Sequence, residues 1–124
     1  PPSVKMVVTT EFVAKFQTKK IRSWRNSYKR VFGLTQSEVV TIDPNDFSVT
    51  NRFPYAALRN IKPSPDNAQD FTFDVEGAGS MQFRCAFRAQ LLTELLRLRA
   101  YNMAAVGIPG GGGGGPRGPG GRRR

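Results

Sequence analysis

Apolar and polar positions alternate along most of the chain up to Phe87, and the period then changes. Residues 12–21 alternate loosely, with Phe12, Ala14 and Phe16 set against Val13, Lys15 and Gln17, and predict a first strand. A short basic connector, Lys19-Lys20-Ile21-Arg22-Ser23, leads to residues 24–34, which alternate cleanly. There Trp24, Asn26, Tyr28, Arg30, Phe32 and Leu34 share one predicted face, and Arg25, Ser27, Lys29, Val31 and Gly33 the other. Val39-Val40-Thr41-Ile42 is a β-branched run ended by the turn sequence Asp43-Pro44-Asn45-Asp46. Strands are predicted over 47–53 and, more weakly, over 55–61, the latter stopped by Pro63 and Pro65. Residues 71–75 and 81–87 flank a Gly77-Ala78-Gly79-Ser80 turn, with Met81, Phe83, Cys85 and Phe87 on one face. From about 88 to 102 the spacing becomes helical, with Leu91, Leu92, Leu95, Leu96 and Leu98 forming a stripe. Seven short strands followed by one helix predict a mainly β domain, an antiparallel sandwich or barrel whose open end the leucine face covers.

Composition divides the 124 residues into three parts: an N-terminal extension over 1–10, one small globular module over 11–103, and a disordered Gly/Pro/Arg-rich tail over 104–124. The chain starts at Pro1 rather than at a methionine, and is expected to be a piece or processed product of something longer. It has no apolar run of about 18 residues and no signal-peptide pattern. Cys85 is the sole cysteine, which excludes an internal disulfide and predicts a small buried core residue. Histidine is absent, so the usual general acid–base group is missing, and too few ligands remain for a zinc site. The nine acids are scattered, and Asp43 and Asp46 are expected to serve their turn. The expectation is a binding module, not an enzyme, with no metal and no cofactor.

Charge then gives the positive clue. Nineteen Lys and Arg against nine Asp and Glu make the net charge +10, and only four of those positives are tail arginines. Lys15, Lys19, Lys20, Arg22, Arg25, Lys29 and Arg30 follow one another with no acid between Phe12 and Ser37. Lysines on a strand edge also serve to block aggregation. Seven cations without an acid instead mark a local positive potential that attracts phosphate, on an anionic membrane surface or on nucleic acid. The tail sequence 116–124 is loosely like Arg/Gly-rich RNA-binding segments, but it lacks aromatic residues, so nucleic acid is disfavoured.

The stretch Ser23-Trp24-Arg25-Asn26-Ser27-Tyr28-Lys29-Arg30-Val31-Phe32 resembles the start of the giant endosomal J-domain proteins of the receptor-mediated-endocytosis type, whose plant relatives are named for defects in gravitropism. Val40-Thr41-Ile42-Asp43-Pro44-Asn45, Val49-Thr50-Asn51, Phe83-Arg84 and Leu91-Leu92-Thr93-Glu94-Leu95-Leu96-Arg97-Leu98-Arg99 match in the same order, over roughly residues 11–101. The resemblance implies a pleckstrin-homology-like (PH-like) seven-stranded antiparallel barrel capped by the helix. It also implies binding to phosphatidylinositol 3-phosphate and the anionic surface on the cytoplasmic face of early endosomes, in a co-chaperone of endosomal sorting. Hsp70 would be engaged only through a J domain absent from this sequence. The family's lipid-binding positions fall on Trp24, Tyr28, Arg30 and, with Ile21 as an insertion, Lys20; ungapped, Ile21 takes that place. Lys19, Arg22, Arg25 and Lys29 form a supporting basic patch. Phosphoinositide-binding PH domains commonly carry two bases flanking one position of the second strand. Tyr28 stands where the first would be, so selectivity for highly phosphorylated lipids is not expected. The alternative reading is a PH-like protein–protein interaction module, because fold does not fix function.

Overall fold

Phenylalanine supplies most of the interior. Phe32 meets Phe71, Phe73 and Phe83 edge to face at centroid distances of 5.7, 6.2 and 4.9 Å, while Phe73 and Phe83 stack at 5.8 Å. Such geometry sets the positive ring edge against the negative ring face. The rings project from a sheet that a computed structural model describes over residues 11–107. Its strands are β1 (Ala14–Ile21), β2 (Ser27–Leu34), β3 (Glu38–Ile42), β4 (Val49–Pro54), β5 (Leu58–Pro63), β6 (Asp70–Val75) and β7 (Gly79–Arg84). A 3-10 turn (Tyr55–Ala57) joins β4 to β5, and α1 (Arg88–Gly107) follows β7. All pairings are antiparallel, in the order β4-β3-β2-β1-β7-β6-β5. The expected PH-like barrel of seven strands and a C-terminal helix is the observed architecture.

The two edges, β4 and β5, are bridged by the 3-10 turn, and α1 packs against it. Leu91, Leu95 and Leu98 are fully buried there, as the helical spacing predicts. Leu96 is exposed and Leu92 half-buried, because the buried face is only one helical stripe wide. Polar groups pin the helix. Arg99 donates to the Leu58 carbonyl at 3.1 Å and Asn102 to the Gln36 carbonyl at 2.9 Å. Arg88 donates to the carbonyls of Ser64, Asn67 and Asp70, which ties the β5–β6 loop to the first helical turn. Cys85 is buried against this junction, and burial raises its thiol pKa, as suits an inert core residue.

Element bounds differ from the expected ones where side-chain alternation outruns backbone pairing. β4 begins at Val49, because residues 43–48 close a turn. Tyr55 belongs to the 3-10 turn, although its ring is buried and its hydroxyl donates to the Thr35 carbonyl at 2.7 Å. β7 ends at Arg84, and Phe87 is 59% exposed rather than inward-facing. Gly77 turns β6 into β7 with φ of +81°, a conformation that favours glycine. The disordered tail expected from 104 starts too early, because α1 continues through 104–107; the rest of it, 108–124, and the whole extension over 1–10 lie outside the described residues.

Among the sheet's ion pairs, Arg84–Asp70 has a buried carboxylate. Arg84 donates from Nε to Asp70 Oδ1 at 2.6 Å and from Nη2 to Oδ2 at 3.1 Å, and Gln82 adds a third bond at 2.9 Å. The Arg84 hydrogen bonds chiefly hold the Asp70 carboxyl below the ordinary carboxylate value, against the opposing effect of its burial. A depressed carboxyl contributes stability that is present above the unfolded pKa, near ~4, and lost as pH falls through the lower folded value. Asp70→Asn is therefore expected to lower stability by about 2 kcal/mol at neutral pH. Its melting temperature should converge on that of the parent in acid, which calorimetry over a pH series would measure.

Candidate anion-binding site

β1 and β2 form the longest hairpin, paired from Ala14–Leu34 up to Ile21–Ser27. Lys20 stands opposite Tyr28 and Thr18 opposite Arg30, so these four share the face that carries the core residue Phe32. The pairing of β2 with β3 stops at Val31–Ile42, so residues 27–30 project beyond the body of the barrel. Along this one face burial falls from Phe32, which is buried, through half-buried Arg30 to exposed Tyr28. An interior lining thus becomes the rim of an open corner.

Three cations gather at that rim. The Arg30 guanidinium lies 5.5 Å from the Tyr28 ring centre and donates to the Lys29 carbonyl at 2.7 Å. Its nearest carboxylate, Asp43, is 3.9 Å away, too far for a hydrogen bond. Lys20 and Arg22 make no ion pair among the described residues. Burial first, and then the charges of Arg22 and Arg30, pull the Lys20 ammonium below the ordinary lysine value. The site is therefore short of negative charge. Beside it opens a cleft of about 330 Å³, walled by Lys20, Ile21 and Arg22 on one side and Ala78, Ser80, Met81 and Gln82 on the other.

Trp24 is placed differently from its expected position on the β2 face. The strand begins only at Ser27, because residues 22–26 close a loop on their own backbone: Arg22 and Ser23 donate to the Asn26 carbonyl, and Asn26 donates back to Ser23. Trp24 occupies this loop at 85% exposure, with the Arg25 guanidinium 4.3 Å from its ring centre. It is not a core tryptophan. The hairpin also divides the other predicted basic residues. Arg22 joins Lys20 and Arg30 at the corner, whereas Lys19 and Lys29 face each other on the outer side of the sheet, in a groove that Arg30 also reaches.

The second wall contains residues that the sequence reading assigned to structure alone. Asp43 and Asp46 do serve their turn, accepting from the amides of Asn45 at 2.8 Å and Ser48 at 2.9 Å. The turn sets both carboxylates on the Arg30 side of the corner. It also holds Phe47 at φ of +61° and 74% exposed, an uncommon backbone state for a bulky side chain. The Asp-Pro-Asn-Asp signal marked the turn, but not that it would present an aromatic ring to solvent. No group of His, Cys, Asp or Glu suited to a metal occurs among the described residues. No described helix is long and apolar enough to cross a membrane.

A seven-stranded antiparallel sheet, a single C-terminal helix and an open corner between the β1–β2 and β3–β4 loops define a PH-like domain. The PH domain of human oxysterol-binding-protein-related protein 11 superposes with a TM-score of 0.64 at 16% identity, over 80% of this chain and 89% of that one. The Slm1 PH domain, solved in complex with inositol-4-phosphate, gives 0.55 at 11% identity over 72% and 94%. The DH/PH fragment of PDZRHOGEF, solved with human RhoA, gives 0.66 at 9% identity over 77% and 30%. Within this class the chain belongs to the DNAJ protein RME-8 N-terminal domain family, which matches residues 15–101. A relative, the DnaJ homolog subfamily C protein GRV2 of Arabidopsis thaliana, is 33% identical over 102 residues, covering 72% of this chain. The chain spans 4% of the length of that relative.

Proposed function

We propose that this domain is a membrane-targeting module that binds a singly phosphorylated phosphoinositide, phosphatidylinositol 3-phosphate, on the cytoplasmic face of early endosomes. It acts as a binding module and not as an enzyme, within a large J-domain co-chaperone of endosomal sorting. One observation carries the reading: Lys20, Arg22 and Arg30 converge at the open corner beside a tryptophan that is 85% exposed. A phosphate supplies the anion this cluster lacks. Arg30 gives a planar, bidentate donor and Lys20 a point charge. Tyr28 backs the Arg30 guanidinium with its ring, and Trp24 enters the lipid–water boundary, where amphipathic rings settle.

The count of charges favours a singly phosphorylated headgroup. Tyr28 occupies the place of a second strand base, and Asp43 and Asp46 line the wall beside Arg30. Each further phosphate would meet those carboxylates. The inositol-4-phosphate in the Slm1 complex supports the same ligand class for this fold. Few contacts make the expected affinity of the isolated domain weak and salt-dependent. Endosomal attachment then draws on a second contact or on several copies of the module.

Flotation with vesicles carrying single phosphoinositides tests the assignment. Retention should be greatest with phosphatidylinositol 3-phosphate and fall with added salt. Equal retention on uncharged vesicles would refute it. The depressed Lys20 pKa adds a pH signature. Anion binding needs the ammonium form, so retention should fall as pH rises through the lowered Lys20 value, before an ordinary lysine near ~10.4 would titrate. Lys20→Arg should remove that decline, because guanidinium stays charged.

A further inference from the structure

A second concave surface lies along the flank of the β1–β2 hairpin, between it and the segment that follows β7. It encloses about 900 Å³ and is lined by Lys15 and Lys19 of β1, Lys29 and Val31 of β2, Arg84 of β7 and the exposed Phe87, among others, and at its upper end it reaches Arg30, which it shares with the corner. No carboxylate lines it. Sheet register explains the charge. Lys19 pairs with Lys29 on one side and with Arg84 on the other, so three cations stand in one row across three strands. Asp70 neutralises Arg84 alone. Like charges directly opposite each other destabilise a sheet. Lys19 and Lys29 nevertheless make no ion pair among the described residues. The groove also has an open floor. β1 pairs with β7 only through Lys19–Arg84 and Lys20–Phe83, and the strands then part, leaving Gln17 and Phe16 across from Ala86 and Phe87.

We infer that this groove docks an extended acidic peptide segment carrying an apolar side chain. The lysines supply complementary charge along its length, and Phe87 and Val31 give the apolar side chain a seat. An extended partner suits a strand edge that has lost its neighbour. Direction distinguishes this occupant from a bilayer. From Lys19 to Lys15 the groove runs four residues down the barrel, about 13 Å away from the Trp24 loop. A membrane that takes Trp24 leaves Lys15 and Phe87 in water. A single-stranded nucleic acid is a poorer fit, because Phe87 is the one exposed aromatic ring in the groove, where such partners use several for stacking.

The test needs no membrane, so its outcome is separable from the lipid reading. A labelled peptide of roughly eight residues alternating Glu and Leu would be titrated against the domain by fluorescence anisotropy, with amide shifts followed by NMR. Expected are salt-sensitive binding and shifts at 15–19 and 84–87, the part of the groove away from Arg30. Lys15→Glu combined with Phe87→Ala should weaken it by about tenfold or more. Trp24→Ala should leave it unchanged, and the Lys15/Phe87 variant should keep its vesicle flotation. Absence of binding would overturn the inference, as would equal binding by the double variant or by a peptide with Gln in place of Glu. So would preferential occupation of the same amides by a single-stranded RNA or by phosphatidylinositol 3-phosphate vesicles.

Discussion

Trp24→Ala and Arg30→Ala are each expected to abolish flotation with phosphatidylinositol 3-phosphate vesicles while the melting temperature stays within a few degrees of the parent. Trp24 is 85% exposed in a loop closed by its own backbone, so the ring contributes little to folding. Its contribution comes at the membrane. A tryptophan buries roughly 150–250 Å². If half of that leaves water at about 25 cal/mol/Å², the gain is ~2–3 kcal/mol, on the order of a hundredfold in affinity. Trp24→Phe should therefore retain more binding than Trp24→Ala, with an unchanged salt dependence. Arg30 acts through charge. Losing a charge-assisted phosphate contact costs roughly 1.5–3 kcal/mol, and Arg30→Lys should restore only part of it because the bidentate fork is gone. Circular dichroism melts beside flotation would decide both. A folded Arg30→Ala protein that still floats would remove the proposed site.

Two positions further along the same strand face, the expectation inverts. Phe32→Ala should unfold much of the protein at physiological temperature and abolish every binding activity indirectly. Phe32 is fully buried and sets its ring edge to face against three other phenylalanines. Truncating a buried phenylalanine costs about 3–5 kcal/mol, against a total of roughly 5–10 kcal/mol for a domain of this size. The melting midpoint should fall by roughly 20 °C. Phe32→Leu should recover most of the loss, since it refills the volume. A Phe32→Ala protein with a parental melting curve would mean that the four-ring cluster is not the core. The contrast with Arg30 is the informative part: one strand passes from core to rim within two residues.

That passage was largely legible in the sequence. Alternation along 24–34 put Tyr28, Arg30 and Phe32 on one face, and the observed pairing with β1 places them there. The helical spacing of Leu91, Leu95 and Leu98 marked the buried stripe of α1, and the ordered motifs marked the family. Local periodicity determines which side chains share a face, because a strand repeats every two residues and a helix every 3.6. It does not determine where a strand begins. Trp24 keeps the parity of Tyr28, yet it belongs to a loop, because the hydrogen bonds that close residues 22–26 are made before β2 starts. Nor does periodicity say which cations meet. Lys19, Lys20, Lys29 and Arg30 are sequence neighbours in pairs, but the β1–β2 register puts Lys20 on the corner face with Arg30 and sets Lys19 against Lys29 in the groove, which Arg30 also reaches. The approach of Asp43 to Arg30 likewise depends on two turns meeting across the barrel rim. The sequence by itself determined the elements, the core and the excess of positive charge. Tertiary structure alone decided which cations of different strands meet, Lys20 with Arg30 and Lys19 with Lys29 and Arg84, because strand pairing is a long-range choice that no local spacing encodes.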